Sequence, residues 1–153
     1  MTIPVIDSKR ERIMTEIRKR LAVVFPESQI DRGFLAQNVD TYDRFFLFDL
    51  PETCTLSGYQ RGQYQCQFAI SISYFIKLAQ EEVFPVGNML LEKIRLAIET
   101  DENMKDVKGN ALVLSMRMEE GALIWYDEGV LDVELMFVVE YTKDAGWVSN
   151  PFK

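Results

Sequence analysis

The chain has 153 residues, 48% hydrophobic and 27% charged, which suits an ordinary soluble globular domain with one core and leaves little room for a second. Seventeen Lys and Arg against 24 Asp and Glu give a net charge of −7, which repels bare phosphate backbones and argues against nucleic-acid binding as the main activity. Histidine is absent, which removes the usual general base, the commonest metal ligand and every Ser-His-Asp or Cys-His arrangement.

Residues 1–7 lack a basic region followed by an apolar run, and no stretch approaches 18 uninterrupted apolar residues, so neither a signal peptide nor a membrane span is expected. An amphipathic helix is predicted over 8–25, where Ile13, Met14, Ile17, Leu21, Val24 and Phe25 recur at three- and four-residue steps. Ser8 with Glu11 forms the capping-box pattern, and Pro26 ends the helix. Its polar face carries Lys9, Arg10, Arg12, Arg18, Lys19 and Arg20 against Asp7, Glu11 and Glu16. This is a local basic excess in an acidic protein.

Short strands are expected between Gly33 and Tyr59, including the apolar run Phe45 to Phe48 that Pro51 closes. Residues 53–68 read as a hairpin with its tip near Tyr59, Gln60 and Arg61. From Tyr64 to Ile76 the apolar residues alternate with Gln63, Gln65, Gln67, Ala69, Ser71, Ser73 and Phe75, the signature of a long strand whose far end projects past the core. Pro85 sits where a first-turn proline belongs, and Val86, Met89, Leu90, Ile94, Ala97 and Ile98 give a second helical stripe. Strands follow at 112–118, at 122–126 and from Leu131 to Tyr141. Asp127 to Gly129 reads either as a hairpin turn or as a bulge within one strand. The residues from Lys143 to Lys153 show no periodicity and read as a tail that is loose or ordered by a partner. The expected architecture is α+β in one domain over 1–153: a mostly antiparallel sheet, two packed helices and one long projecting strand or hairpin.

Little in this pattern points to chemistry. Cys54 and Cys66 are equidistant from Gln60 and would face each other across the predicted hairpin. Two buried free thiols in a reducing compartment are the expectation, with a disulfide as the alternative. The acid pairs at 81–82, 101–102, 119–120 and 127–128 fall in predicted loops and read as solvated charge. No GxGxxG or GKS/GKT motif occurs, so nucleotide cofactors lose their usual signatures. Neither a catalytic site, a cofactor nor a metal is expected. Residues 99–134 hold ten acids against three bases. With the basic first helix, this polarity suits head-to-tail association of copies.

The element order resembles the tail terminator, or tail-completion, family of long-tailed bacteriophages. The resemblance rests on the helix at 8–25, the strand Tyr64 to Ile76 with the Pro-started helix at 85–99, and the closing segment MRMEEGALIWYDEGVLDVELMFVVEY at 116–141. It implies a structural protein of the virion, assembled in the host cytoplasm. Six copies would form a ring that caps the tail tube, stops its polymerisation and offers the surface that docks the head. The implied partners are other copies of the chain, the tail tube protein and a head-completion or neck protein. A head-side neck or connector protein is the alternative within assembly. A small ligand-binding module, with a pocket lined by Phe45, Phe48, Tyr74 and Trp125, is the alternative outside it. The candidate interface residues are Arg18 and Arg20 on the basic helix, Trp125, Tyr126, Asp127 and Glu128 at the acidic turn, and Trp147 and Phe152 in the aperiodic tail.

Overall fold

A computed structural model describes residues 8–33, 43–56, 61–119 and 122–148. The chain runs α1 (Lys9–Val24), β1 (Gln29–Arg32), β2 (Arg44–Asp49), β3 (Thr53–Leu56), β4 (Gln63–Lys77), α2 (Val83–Ile98), β5 (Ser115–Met118), β6 (Leu123–Asp127) and β7 (Val130–Asp144). A 3-10 turn at Gln80–Glu82 leads into α2. This is the expected α+β arrangement of two helices on a mostly antiparallel sheet.

The first helix starts where the cap pattern places it. Ser8 is extended and its side chain accepts from the Glu11 amide, which satisfies one of the orphan donors of the first turn. The Glu11 carboxylate does not reach back to complete the box; it pairs with Arg32 on β1. At the other end the Phe25 amide closes on the Leu21 carbonyl before Pro26.

The seven strands form one sheet in the order β1-β2-β4-β7-β5. β3 lies beside β2 on the same edge of β4, and β6 lies beside β5 on the same edge of β7. β1 pairs parallel to β2, and every other pairing is antiparallel. The long strand of the sequence pattern is present, about 50 Å at the usual rise, and beyond Phe75, where its pairing with β2 ends, it keeps a strand neighbour on one edge only among the described residues. β7 pairs with it along all 15 residues, from Gln63↔Asp144 to Lys77↔Val130. Two long strands bond as one ribbon because both alternate in the same phase.

Two boundaries differ from the sequence reading. The strand expected over 112–118 begins at Ser115, because Leu112 and Val113 turn into the core and bond the Asn103 and Met104 carbonyls instead. Glu128 (φ 51°) and Gly129 (φ 79°) are both left-handed and connect β6 to β7 as a two-residue hairpin turn, so no bulge is needed.

The apolar side of this ribbon holds Phe68, Ile70, Ile72 and Tyr74 from β4 and Val133, Leu135, Phe137 and Val139 from β7. Ile13, Ile17 and Leu21 of α1 and Leu90, Ile94 and Ile98 of α2 pack on it. Gly87 lets α2 sit close to the sheet, since a Cβ there would lie 2.9 Å from Ile124 Cδ1.

Candidate functional site

Because side chains alternate across a strand, the residues between these core positions form a second sheet face. Both helices lie on the other side. Cross-strand register sets the second face in rows. One row runs Trp125, Asp132, Phe75, Arg44 and Gln29; the next runs Leu123, Glu134, Ser73, Phe46 and Asp31. A third holds Met136, Ser71 and Phe48. Phe46, Ser73 and Val138 are buried on this face although they stand outside the main core. Phe46 meets Phe75 edge-on, and the Arg44 guanidinium lies over its ring. Toward β6 the face opens, with Leu123 exposed and Trp125 59% exposed. It is an apolar surface with carboxylates set into it.

Asp132 and Glu134 are two residues apart on β7 and point to this same face. Burial, followed by the Glu134 charge, pushes Asp132 up to about 7. Its Oδ1 atom is buried and meets no hydrogen-bond donor among the described residues. A carboxylate in that position lacks the cation or amide that normally offsets its desolvation.

The basic helix face divides in two. Arg18 is exposed, as are Arg12 and Lys19. Arg20 is not an open interface charge: its side chain is only 9% exposed. It donates to Glu16 Oε1 at 3.1 Å, Asp101 Oδ1 at 3.0 Å, and the carbonyls of Ile98 at 2.7 Å and Lys105 at 3.3 Å. Four internal acceptors hold the guanidinium, so it ties α1 to the C-terminus of α2 and the segment that follows it. Arg10 is also committed, to Asp49 and the Leu50 carbonyl, with its guanidinium over the Phe68 ring.

The remaining candidates fall in three places. Asp127 and Glu128 are exposed at the β6–β7 turn, beside Trp125 on the open face. Tyr126 points the opposite way, half-buried, and its hydroxyl donates to the Leu78 carbonyl at 2.8 Å. Trp147 is exposed, yet its ring would stand 3.1 Å from a Cβ placed on Gly62, and the Ala145 amide bonds the Gly62 carbonyl at 2.7 Å. The first part of the predicted tail is thus folded back on the start of β4. Phe152 lies outside the described residues.

The four aromatics offered as a ligand pocket do not converge. Phe45 and Tyr74 are core residues, with ring centroids 4.4 Å apart and Phe25 against both. Phe48 and Trp125 stand on the other side of the sheet.

The cysteines are a further correction. Cys54 on β3 and Cys66 on β4 are directly opposed and joined by a disulfide, so they are not free thiols. Only Cys66 is buried. Glu52 lies beside them, with its Oε2 atom 3.4 Å from Cys54 Sγ. Together the carboxylate and the two sulfurs would make a metal-donor group, but the donors are committed elsewhere. The sulfurs bond each other, and Glu52 accepts from Lys143 at 2.7 Å and from the Tyr141 hydroxyl, with Arg10 3.9 Å away. Burial works against the Glu52 charge, yet these donors hold its carboxyl below the usual range. Cations around the site oppose a metal ion further.

Sequence reasoning missed both of these groupings. Asp132 and Glu134 were visible as the polar phase of β7, but their surroundings come from two other strands, Phe75 and Trp125 beside Asp132 and Ser73 and Leu123 beside Glu134. The Glu52 cluster joins residues 89 and 91 positions apart, and no local signal marks it. No family model and no curated protein sequence matches this chain.

Proposed function

We propose that the chain is a structural subunit of a ring that caps the tail tube of a long-tailed bacteriophage, ends tube polymerisation and forms the surface to which the head docks. The observation that carries this reading is the sheet face on which no helix lies among the described residues, where Trp125 and Leu123 stand exposed beside Asp132 and Glu134. An exposed tryptophan and leucine beside the partly desolvated Asp132 suit a protein interface better than a solvated face. The exposed part of the basic helix, with Arg18 and Lys19, lies on the outside of the other layer. Two different, charge-complementary surfaces on opposite sides of one subunit give heterologous contacts, and such contacts close into a ring when the rotation between neighbours allows it.

The order of elements supports the phage assignment through the resemblance already described. The mechanism is steric: a ring matching the tube end on one side and lacking a tube-like surface on the other stops growth. A standard interface buries about 800 Å² per partner. The test is assembly of tails with and without the protein. Tubes of uncontrolled length that fail to join heads when it is missing support the reading; tails of normal length that join heads refute it. Binding to a purified portal complex and not to tubes would favour the neck protein.

A further inference from the structure

We propose that the Cys54–Cys66 bridge is a reversible redox clip: a thiol–disulfide exchange site that takes a dithiol reductant, and whose state decides whether β3 covers its stretch of β4. The inference rests on how unevenly the two sulfurs and the two strands are held, and it is independent of the ring reading.

β3 is four residues long, and all four are exposed. It lies at a sheet edge with no strand on its outer side among the described residues. Four backbone pairs join it to β4, from Thr53↔Gln67 to Leu56↔Tyr64. Leu56, its only large apolar residue, is exposed and adds nothing to the core. An edge strand without an apolar anchor is the kind of segment that opens locally at low free energy. The bridge is therefore its main attachment along its length. The Glu52 cluster is a second attachment, but only at the start: Glu52 precedes β3 and is held by Lys143, Tyr141 and Arg10. Without the bridge, β3 peels from Leu56 back toward this anchor. Residues 64–67 of β4 then lose a neighbour on that edge while keeping β7 on the other.

The chemistry suits attack from one side. Cys54 is exposed, whereas Cys66 is 1% exposed, so an incoming thiolate reaches Cys54 Sγ. The new bond forms between the reductant sulfur and Cys54 Sγ as the Cys54–Cys66 bond breaks, and Cys66 leaves as a thiolate that takes up a proton. The second thiol of the reductant then attacks its own mixed-disulfide sulfur. Cys54 departs as a thiolate and is protonated, and the reductant leaves as a cyclic disulfide. Two electrons pass from the dithiol to the protein. Lys143, 2.7 Å from the Glu52 oxygen that faces Cys54, offsets the carboxylate that would otherwise repel the incoming anion.

The full chain, purified without reductant, is treated with dithiothreitol in native buffer and followed by alkylation mass spectrometry and amide hydrogen exchange. The proposal expects no alkylation before treatment and two alkylated cysteines after full reduction, the exposed Cys54 reacting faster than the buried Cys66. It also expects exchange at 54–56 to rise at least about tenfold while 68–76 stays protected. Cys54→Ser should show the faster β3 exchange without dithiothreitol and no further response to it. This variant separates the clip from any effect of the reductant elsewhere. Two free thiols before treatment, a bridge that yields only in denaturant, unchanged β3 exchange after reduction, or loss of protection across the whole sheet would each overturn the proposal.

Discussion

Replacing Arg20 with alanine tests the claim that this residue holds the helix layer together and does not face a partner. The substitution removes a guanidinium that donates to two carboxylates and two carbonyls. It leaves Asp101 and the carbonyls of Ile98 and Lys105 short of a donor. Hydrogen bonds to charged groups contribute about 1.5–3 kcal/mol each when buried. Asp101 retains one-third of its exposure, so water replaces part of what is lost. The expected cost is about 3 kcal/mol, or about 6–12 °C in midpoint for a chain of this length. Urea unfolding followed by circular dichroism measures it, with Arg18→Ala as the control. Arg18 is exposed, and its loss should stay within about 0.5 kcal/mol. Arg20→Lys keeps the charge but not the fork, and should recover only part of the loss. A cost below about 1 kcal/mol for Arg20→Ala, or a defect confined to association, would refute the internal role.

Asp132→Asn tests the buried carboxylate. Asp132 holds its proton up to about pH 7 in the native protein but loses it near pH 4 in the unfolded chain. The native state thus binds more protons between these values; the stability gained is complete below pH 4 and is lost as the pH rises through 7. Water reaching the open face reduces the effect, so Asp132→Asn should raise stability by about 1–2 kcal/mol at pH 8 and by much less at pH 4; equal changes at both would contradict the assignment. Gly87→Leu should cost about 2 kcal/mol or more, because its side chain must displace Ile124 between α2 and β6, and a wild-type urea midpoint would show that the close approach is not required. Trp125→Ser should leave the midpoint within about 0.5 kcal/mol yet weaken self-association in analytical ultracentrifugation. Unaltered association would remove the open face from the interface.

The legible parts of the fold were those with local causes. The phase of Tyr64 to Ile76 and of Leu131 to Tyr141 marks two half-buried strands, and Ser8 and Pro26 bracket α1. Pairing was less accessible, because register joins residues far apart: nothing near Gln63 says that Asp144 will lie beside it. Arg20 illustrates the limit for the candidate site. Its place on the polar helix face is plain from the spacing, but three of its four acceptors are 78 to 85 residues away, so its internal role could not be read from α1 alone. The disulfide was legible as a juxtaposition, since Gln60 lies midway between the two cysteines, but not as a bond. Trp125 and Asp127 were found beside an acidic turn, while the face that gives them meaning appears only when β2, β4, β7 and β6 are side by side.

The central claim is that the chain closes into a ring that seats on a tail tube. Native mass spectrometry across a range of concentration and salt, repeated with purified tail tubes and read beside negative-stain images, tests it most directly. The account predicts a six-membered ring that loosens as salt screens the charged contacts and is found at tube ends. A chain that stays monomeric at every concentration and salt, and leaves tube ends bare, would contradict it.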